Sequence, residues 1–229
     1  MTTEFTGKPA HGPDAPRWIL ARLLRATVAK LLIAVYRIRV LGAVNVPLEG
    51  GYILAGNHVS YLDPALLWSV APRETHFVAK KELFDNAFLA WVIPRVWAFP
   101  INRDSADREA IQRATDLLVF GEPVGMFPEG TRLRPGTTAR ADELGAAHSG
   151  VAFIAMRAGV PVVPVGISGT DKALPAGAKV PRFPRVTICF GEPVSAEDFP
   201  EGGRKEKTAA MTAEIMSRIA TARHTASEE

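Results

Sequence analysis

The sequence predicts an α/β fold, a single mixed sheet flanked by helices and led in by an amphipathic N-terminal helical segment. Three observations predict it. From about residue 39 onward, short apolar runs of strand length alternate with stretches of helical periodicity. The chain has 229 residues, 47% of them hydrophobic and 22% charged, which suits one well-buried domain and falls short of two. Its one cysteine, Cys189, excludes an internal disulfide framework and any multi-cysteine metal site.

The elements follow in order. Residues 1–16, polar and rich in proline, read as a mobile leader with no secretory signal. Residues 17–40 read as a helical segment. Leu20, Leu24, Val28, Leu31, Val35 and Ile38 recur at three- and four-residue steps and line one face, with Arg22, Arg25, Lys30 and Arg37 on the other. Between Arg17 and Leu48 there are six basic residues and no acidic one, although the whole chain carries only +3. Such a block points to an anionic partner, membrane lipid or nucleic acid. Its cations are interleaved with Leu, Val and Ala rather than with stacking aromatics, which suits lipid better. The helix either packs on the domain with a solvated basic face or lies in a membrane interface. No apolar run approaches the ~20 residues of a membrane span.

Beyond it, "YILAG", "THFVAK", "PVGMF", "PVVPVGI" and "RVTICFG" read as strands, the last holding Cys189 as a buried, inert thiol. "DPALLWSVA", "SADREAIQRATDLLVFG", "GVAFIAMRAG" and residues 204–221 read as helices, and 128–149 as one long irregular loop. The α/β domain is expected over 41–222, with a flexible tail at 223–229. Pro161 and Pro164 flank a strand and mark it as an edge.

Chemistry concentrates in a few stretches. In "NHVSYLDP", Asp63-Pro64 is a good helix start, with Asp63 as N-cap and Pro64 at the first helical position. The same turn lets the Asp63 carboxylate meet one ring nitrogen of His58, fix its tautomer and leave the other nitrogen to take a proton. In "FPEGTR", Glu129 suits a hydroxyl or cation, Gly130 permits close backbone approach, and Arg132 offers a planar fork for phosphate; an ordinary turn with a surface arginine is the alternative. Arg103 closes the apolar run of "WAFPINR" just before a helix, where a strand-end arginine paired to Asp104 or Asp107 is the plain reading. Lys80 belongs to the pair Lys80-Lys81, a solvated pair more often than a site. The scattered histidines lack metal-ligand spacing, and neither a Gly-x-Ser-x-Gly nor a Walker-type phosphate loop occurs, with Ser60 better explained by the turn.

The order "NHVSYLD", "FPINR", "FPEGTR", "VPVVPV" resembles the four blocks of the PlsC-type glycerolipid acyltransferases, from about Tyr52 to about Pro193. The resemblance implies that His58 and Asp63 are catalytic. It implies that Arg103, Glu129, Gly130, Thr131 and Arg132, with Lys80, bind the acceptor, and that Pro161 lies near the acyl donor or packs beside it. It implies transfer of a fatty acyl chain from acyl-CoA or acyl-carrier protein to the sn-2 hydroxyl of lysophosphatidic acid, giving phosphatidic acid. No cofactor, metal or nucleic acid is implied, and the enzyme is expected at the cytoplasmic face of the cell membrane, peripherally, on an anionic surface. The same mechanism on glycerol-3-phosphate or another lysolipid is the alternative, and a lipid-binding scaffold the non-enzymatic one. Two departures stand out: Trp97 replaces a frequent glycine, and His148-Ser149 replaces a frequent lysine ahead of the helix before the fourth block.

Overall fold

Ile53–Gly56, four consecutive buried residues, form the strand on which the site is built. A strand buried on both faces has no reason to alternate apolar with polar side chains, and this one does not. The structure is a computed structural model. It describes residues 16–60, 62–80, 98–101, 108–128, 141–173, 182–199 and 201–229, with 16–25, 78–80, 98–101 and 141–148 described by backbone alone.

In chain order the elements are α1 (Pro16–Val35), β1 (Arg39–Leu41), β2 (Ile53–Gly56), α2 (Asp63–Val70), β3 (His76–Lys80), β4 (Ala98–Ile101), α3 (Arg108–Val119), β5 (Val124–Met126), α4 (Ala141–Ala158), β6 (Val162–Ser168), β7 (Thr187–Phe190) and α5 (Arg204–Glu228). The strands make one seven-stranded sheet in the order β1-β7-β6-β2-β5-β3-β4. Neighbours run parallel except β6 and β7, so the sheet is mixed, as expected.

The two faces of the sheet carry separate cores. Leu54, Val163, Val165 and Ile167 pack with Leu66, Leu67 and Trp68 of α2 and with Val28, Leu32 and Val35 of α1. Ile53, Ala55, Val124 and Val162 pack with Leu118 of α3, Val151 and Ile154 of α4, and Met211, Ile215 and Ile219 of α5. On that second face α5 lies so close to β6 that a Cβ on Gly166 would come within 2.1 Å of the Ala222 carbonyl carbon. This layering positions the site. The chain leaves the carboxyl end of β2 for a helix on one face, and the carboxyl end of the adjacent β5 leads to a helix on the other. Adjacent strands whose connections part in this way open a crevice at their carboxyl ends, where α/β sheets bind ligands.

Several expectations change. Helix α1 stops at Val35 because a Schellman motif closes it: Ile38 N–H donates to the Ile33 carbonyl and Arg37 N–H to that of Ala34. Arg37 takes the left-handed position with φ 45°, where glycine is usual, and its guanidinium donates to the Phe183 carbonyl at 3.0 Å. Residues 39–41 then join the sheet edge as β1. Leu31, assigned to the packed face, is 61% exposed, and the packed stripe runs through the half-buried Val28, Leu32 and Val35. The stretch 128–149 is not one loop, since α4 starts at Ala141 and contains His148 and Ser149. The tail expected from 223 is helical to Glu228, with Ala222 and Ala226, one turn apart, buried beside Cys189. Cys189 is buried as expected, and desolvation pushes its thiol pKa up. Pro164 lies inside β6, an interior strand. The β6–β7 pairing slips by one residue between Val162↔Val194 and Val165↔Phe190, and a proline is tolerated at such an offset.

Candidate active site

The site begins where β2 ends. Asn57 is buried and follows Gly56 directly. Its side-chain amide donates to the Ile167 carbonyl at 3.0 Å, and its carbonyl oxygen accepts the Ile167 N–H at 2.7 Å. The side chain thus continues the β2–β6 ladder one step past the strand, and it fixes the position at which the next residue leaves the sheet.

That residue is His58. Its Nδ1 lies 3.0 Å from Oδ2 of Asp63. A carboxylate only accepts hydrogen bonds, so Nδ1 carries the proton and Nε2 keeps its lone pair in the neutral ring. Asp63 Oδ2 also accepts the N–H groups of Val59 at 2.8 Å and Ser60 at 2.7 Å. The carboxylate is wholly buried, and its other oxygen, Oδ1, has no hydrogen-bond partner among the described residues. Three donors converging on one oxygen hold a negative charge still beside the imidazole, poised to stabilise the imidazolium that a proton transfer creates.

Asp63 does this in place of capping. It was expected as the N-cap of α2. The helix starts at Asp63 itself, Leu62 takes the cap position without a side-chain cap bond, and Pro64 falls in the first turn. The Asp63 carboxylate is turned back on residues 58–60, away from the helix N–H groups. Ser60 belongs to the turn, as expected: its hydroxyl accepts the Leu62 N–H at 3.3 Å.

The His58 ring also has an aromatic neighbour. Phe127, just past the end of β5, stacks on it with centroids 4.5 Å apart and planes 27° from parallel. The dyad therefore sits across the β2–β5 crevice. Asn57 and Phe127 went unrecognised from the sequence as parts of the site. Asn57 precedes the histidine and Phe127 opens "FPEGTR", but nothing in either motif reveals what the side chain touches.

The other expected residues divide three ways. Lys80 is the last residue of β3, on the same carboxyl edge of the sheet, and its backbone alone is described. Arg103, Glu129, Gly130, Thr131 and Arg132 lie outside the described residues, as does Trp97. Strands β4 and β5, which lead into those segments, end at Ile101 and Met126 on the His58 edge. Pro161 is not brought to the dyad. It precedes β6 at the opposite edge, where its carbonyl accepts the Ile53 N–H at 3.0 Å, roughly 20 Å from His58 by strand rise.

The family model described as Acyltransferase matches residues 37–168, a span that contains the dyad and the β2–β5 crevice. The chain belongs to the acyltransferase family. A 1-acyl-sn-glycerol-3-phosphate acyltransferase of Bacillus subtilis is 30% identical to this acyltransferase over 80% of its chain and 86% of the relative. An enzyme of the same description from Streptococcus pneumoniae is 32% identical over 66% of this chain and 52% of its own. A lyso-ornithine lipid O-acyltransferase of Pseudomonas aeruginosa is 32% identical over 69% of this chain and 55% of its own. This acyltransferase thus spans most of the first relative and about half the length of the other two. The crystal structure of the Thermotoga maritima lysophosphatidic acid acyltransferase PlsC superposes with a TM-score of 0.67 at 24% identity, covering 91% of this chain and 83% of that one, and so shares its fold.

Proposed function

We propose that this acyltransferase moves a fatty acyl chain from an acyl thioester to the sn-2 hydroxyl of lysophosphatidic acid, giving phosphatidic acid for phospholipid synthesis. The observation that carries the reading is the His58–Asp63 pair, with Asp63 buried and its Oδ2 accepting three hydrogen bonds. A thioester is already activated, so transfer to an alcohol needs a base, a held acceptor and stabilisation of the carbonyl oxygen, with no covalent enzyme intermediate. Nε2 of His58 takes the hydroxyl proton as the oxygen attacks the thioester carbonyl. The tetrahedral intermediate collapses, the C–S bond breaks, and His58 returns the proton to the departing thiolate. Asp63 stabilises the imidazolium in between.

In this reading Arg103 and Arg132 hold the acceptor phosphate, Lys80 adds positive charge, and Glu129, Gly130 and Thr131 shape the acceptor pocket. Pro161 keeps the packing role that its place at the far edge suits. The donor carries its chain on coenzyme A or acyl-carrier protein. The test is incubation of purified protein with lysophosphatidic acid and acyl-CoA or acyl-carrier-protein donors of several lengths, with phosphatidic acid followed by mass spectrometry. Absence of product with every donor overturns the reading.

A second acceptor is favoured by one finding, the Pseudomonas aeruginosa relative named for a lyso-ornithine lipid. The same base acts on any lysolipid hydroxyl placed beside it. A matrix that adds lyso-ornithine lipid and glycerol-3-phosphate as acceptors separates the readings by kcat/KM.

Both substrates carry long chains, and we place the enzyme peripherally on an anionic membrane surface, at the cytoplasmic face. Among the described residues no helix is long and apolar enough to cross a membrane. On the His58 edge, around the start of β1 and of β7, Arg37, Arg39, Lys172, Arg182 and Arg185 are exposed, with Phe183 54% exposed among them. Cations around an aromatic side chain suit an interface of anionic head groups. Flotation with phosphatidylglycerol vesicles, absent with phosphatidylcholine alone, is the expected result.

A further inference from the structure

We propose that Phe127, backed by Phe77 and by the bare backbone of Gly125, is a positioning residue that sets the plane of the His58 imidazole. The inference rests on His58 being the base.

Base catalysis needs the Nε2 lone pair aimed at the hydroxyl proton, and that aim follows the plane of the His58 ring. The bond from Nδ1 to Asp63 Oδ2 acts at one edge of the ring, in its plane. A flat neighbour against the ring face resists tilting out of that plane. Phe127 is that neighbour, 4.5 Å away and 27° from parallel.

Phe127 is itself held. On its far side Phe77 of β3 lies 6.3 Å away at 24°, so the three rings form one stack, His58–Phe127–Phe77. Phe77 is buried and pairs directly with Gly125 in the parallel β3–β5 ladder. Gly125 and Phe127 are two residues apart and share one face of the strand. A Cβ built on Gly125 meets the Phe77 ring at 2.3 Å. Glycine at 125 is therefore what lets the Phe77 ring lean over β5 and reach Phe127. On the β2 side, a Cβ at Gly56 would stand 3.4 Å from the Phe127 ring. The stack runs from β3 across β5 to the end of β2 and ties the ring plane to the sheet.

The stack serves transfer in two ways. It holds the Nε2 direction, and misplacement of a reacting group by about 1 Å costs on the order of 10²-fold in rate. Its π-face also attracts the imidazolium that exists only after the proton has moved, a contact equivalent to roughly 2- to 30-fold. Both effects act on the chemical step and leave acceptor binding alone.

The test compares Phe127→Leu, Phe127→Tyr and Gly125→Ala with the wild type, each shown to be folded by its circular dichroism and melting curve. Phe127→Leu is expected to lower kcat by about 10- to 10²-fold with KM for lysophosphatidic acid within twofold. Phe127→Tyr, which keeps a flat ring, restores kcat to within a few-fold. Gly125→Ala, remote from the reacting atoms, lowers kcat in the same direction; should it fail to fold, Phe77→Leu takes its place. In nuclear magnetic resonance spectra the His58 ring protons carry the ring-current shift of Phe127, lost in Phe127→Leu and kept in Phe127→Tyr. An undiminished kcat in Phe127→Leu overturns the proposal, as does a Phe127→Tyr variant that is folded and no better than Phe127→Leu. A wild type without turnover counts against the acyltransferase reading instead. The ring-current arm then decides by itself: shifts unchanged in Phe127→Leu overturn the stack, and shifts lost there support it.

Discussion

Among the described residues, a histidine–carboxylate pair stands at each edge of this sheet, and only the first of the two has a wholly buried carboxylate. At the carboxyl edge His58 meets Asp63 at 3.0 Å, with the carboxylate wholly buried. At the amino edge His76 meets Glu122 at 3.6 Å, with the Glu122 side chain 37% exposed. The second pair belongs to a tie between loops. Beside it Arg73 donates to the carbonyls of Gly50 and Gly121 and lies over the Tyr52 ring. The first is supported by the N–H groups of Val59 and Ser60, by the amide of Asn57 clamped to Ile167, and by the face of Phe127. The lesson is that histidine beside carboxylate does not by itself mark a candidate base. Burial and the contacts that hold the pair single one of the two out.

That contrast is open to breakage, most severely at His58 itself. His58→Ala is expected to abolish turnover, a loss of at least ~10²–10⁴-fold, with the melting temperature little changed; product formation near the wild-type rate removes His58 as the base. Asp63→Asn comes next. The amide oxygen still accepts the Val59 and Ser60 N–H groups, so the turn persists, while the charge facing the imidazolium is gone. A fall of roughly 10²–10⁴-fold in kcat at nearly constant stability is expected. If stability falls and kcat holds, the carboxylate serves the turn alone. Asn57→Ala sharpens the comparison from the supporting side. It leaves the Ile167 N–H and carbonyl without their partner, costing ~1–3 kcal/mol in unfolding free energy by denaturant titration. It also lowers kcat, because the exit point of His58 from the sheet is no longer fixed.

The smallest effect belongs to the amino edge. Glu122→Gln is expected to leave kcat within twofold and to cost at most ~1 kcal/mol, as a partly exposed pair screened by solvent does. His76, 3.6 Å away, holds the Glu122 carboxyl below its usual range against desolvation, with Arg73 acting in the same direction. A folded pKa below the unfolded one stabilises above the unfolded value and loses that stabilisation as the pH falls. The melting temperatures of wild type and Glu122→Gln should therefore differ at neutral pH and converge below about pH 4.

How much of this was legible in the sequence follows from distance along the chain. His58 and Asp63 are five residues apart, and one turn brings them together, so their meeting was readable from the motif. The contacts that make them a site come from far away. Asn57 finds Ile167 across 110 residues, and Phe127 finds Phe77 across two adjacent strands. No local pattern encodes such partners. The middle of the sheet was readable because β2, β5, β6 and β7 are mostly buried apolar runs. The misread elements lacked that signal. β1 is three residues long. The first turns of α4, "ADELGAAHSG", show little apolar periodicity, and the end of α5 packs through alanines that a hydrophobic pattern hardly registers. The face of α1 was misassigned at Leu31, where a helical stripe shifted by one residue fits the sequence nearly as well.

The clamp between Asn57 and Ile167 has a consequence for the order in which the protein is made. Asn57 and the whole dyad leave the ribosome together, but their anchor is synthesised 110 residues later. At ~5–20 residues per second, roughly 5–20 s of synthesis separates the motif from the strand that fixes it. Throughout that interval the nascent chain carries a histidine and its aspartate without the register that aims them. The Asn57 clamp closes only once β6 has docked beside β2, so the geometry around His58 serves as a report that the middle of the sheet is complete.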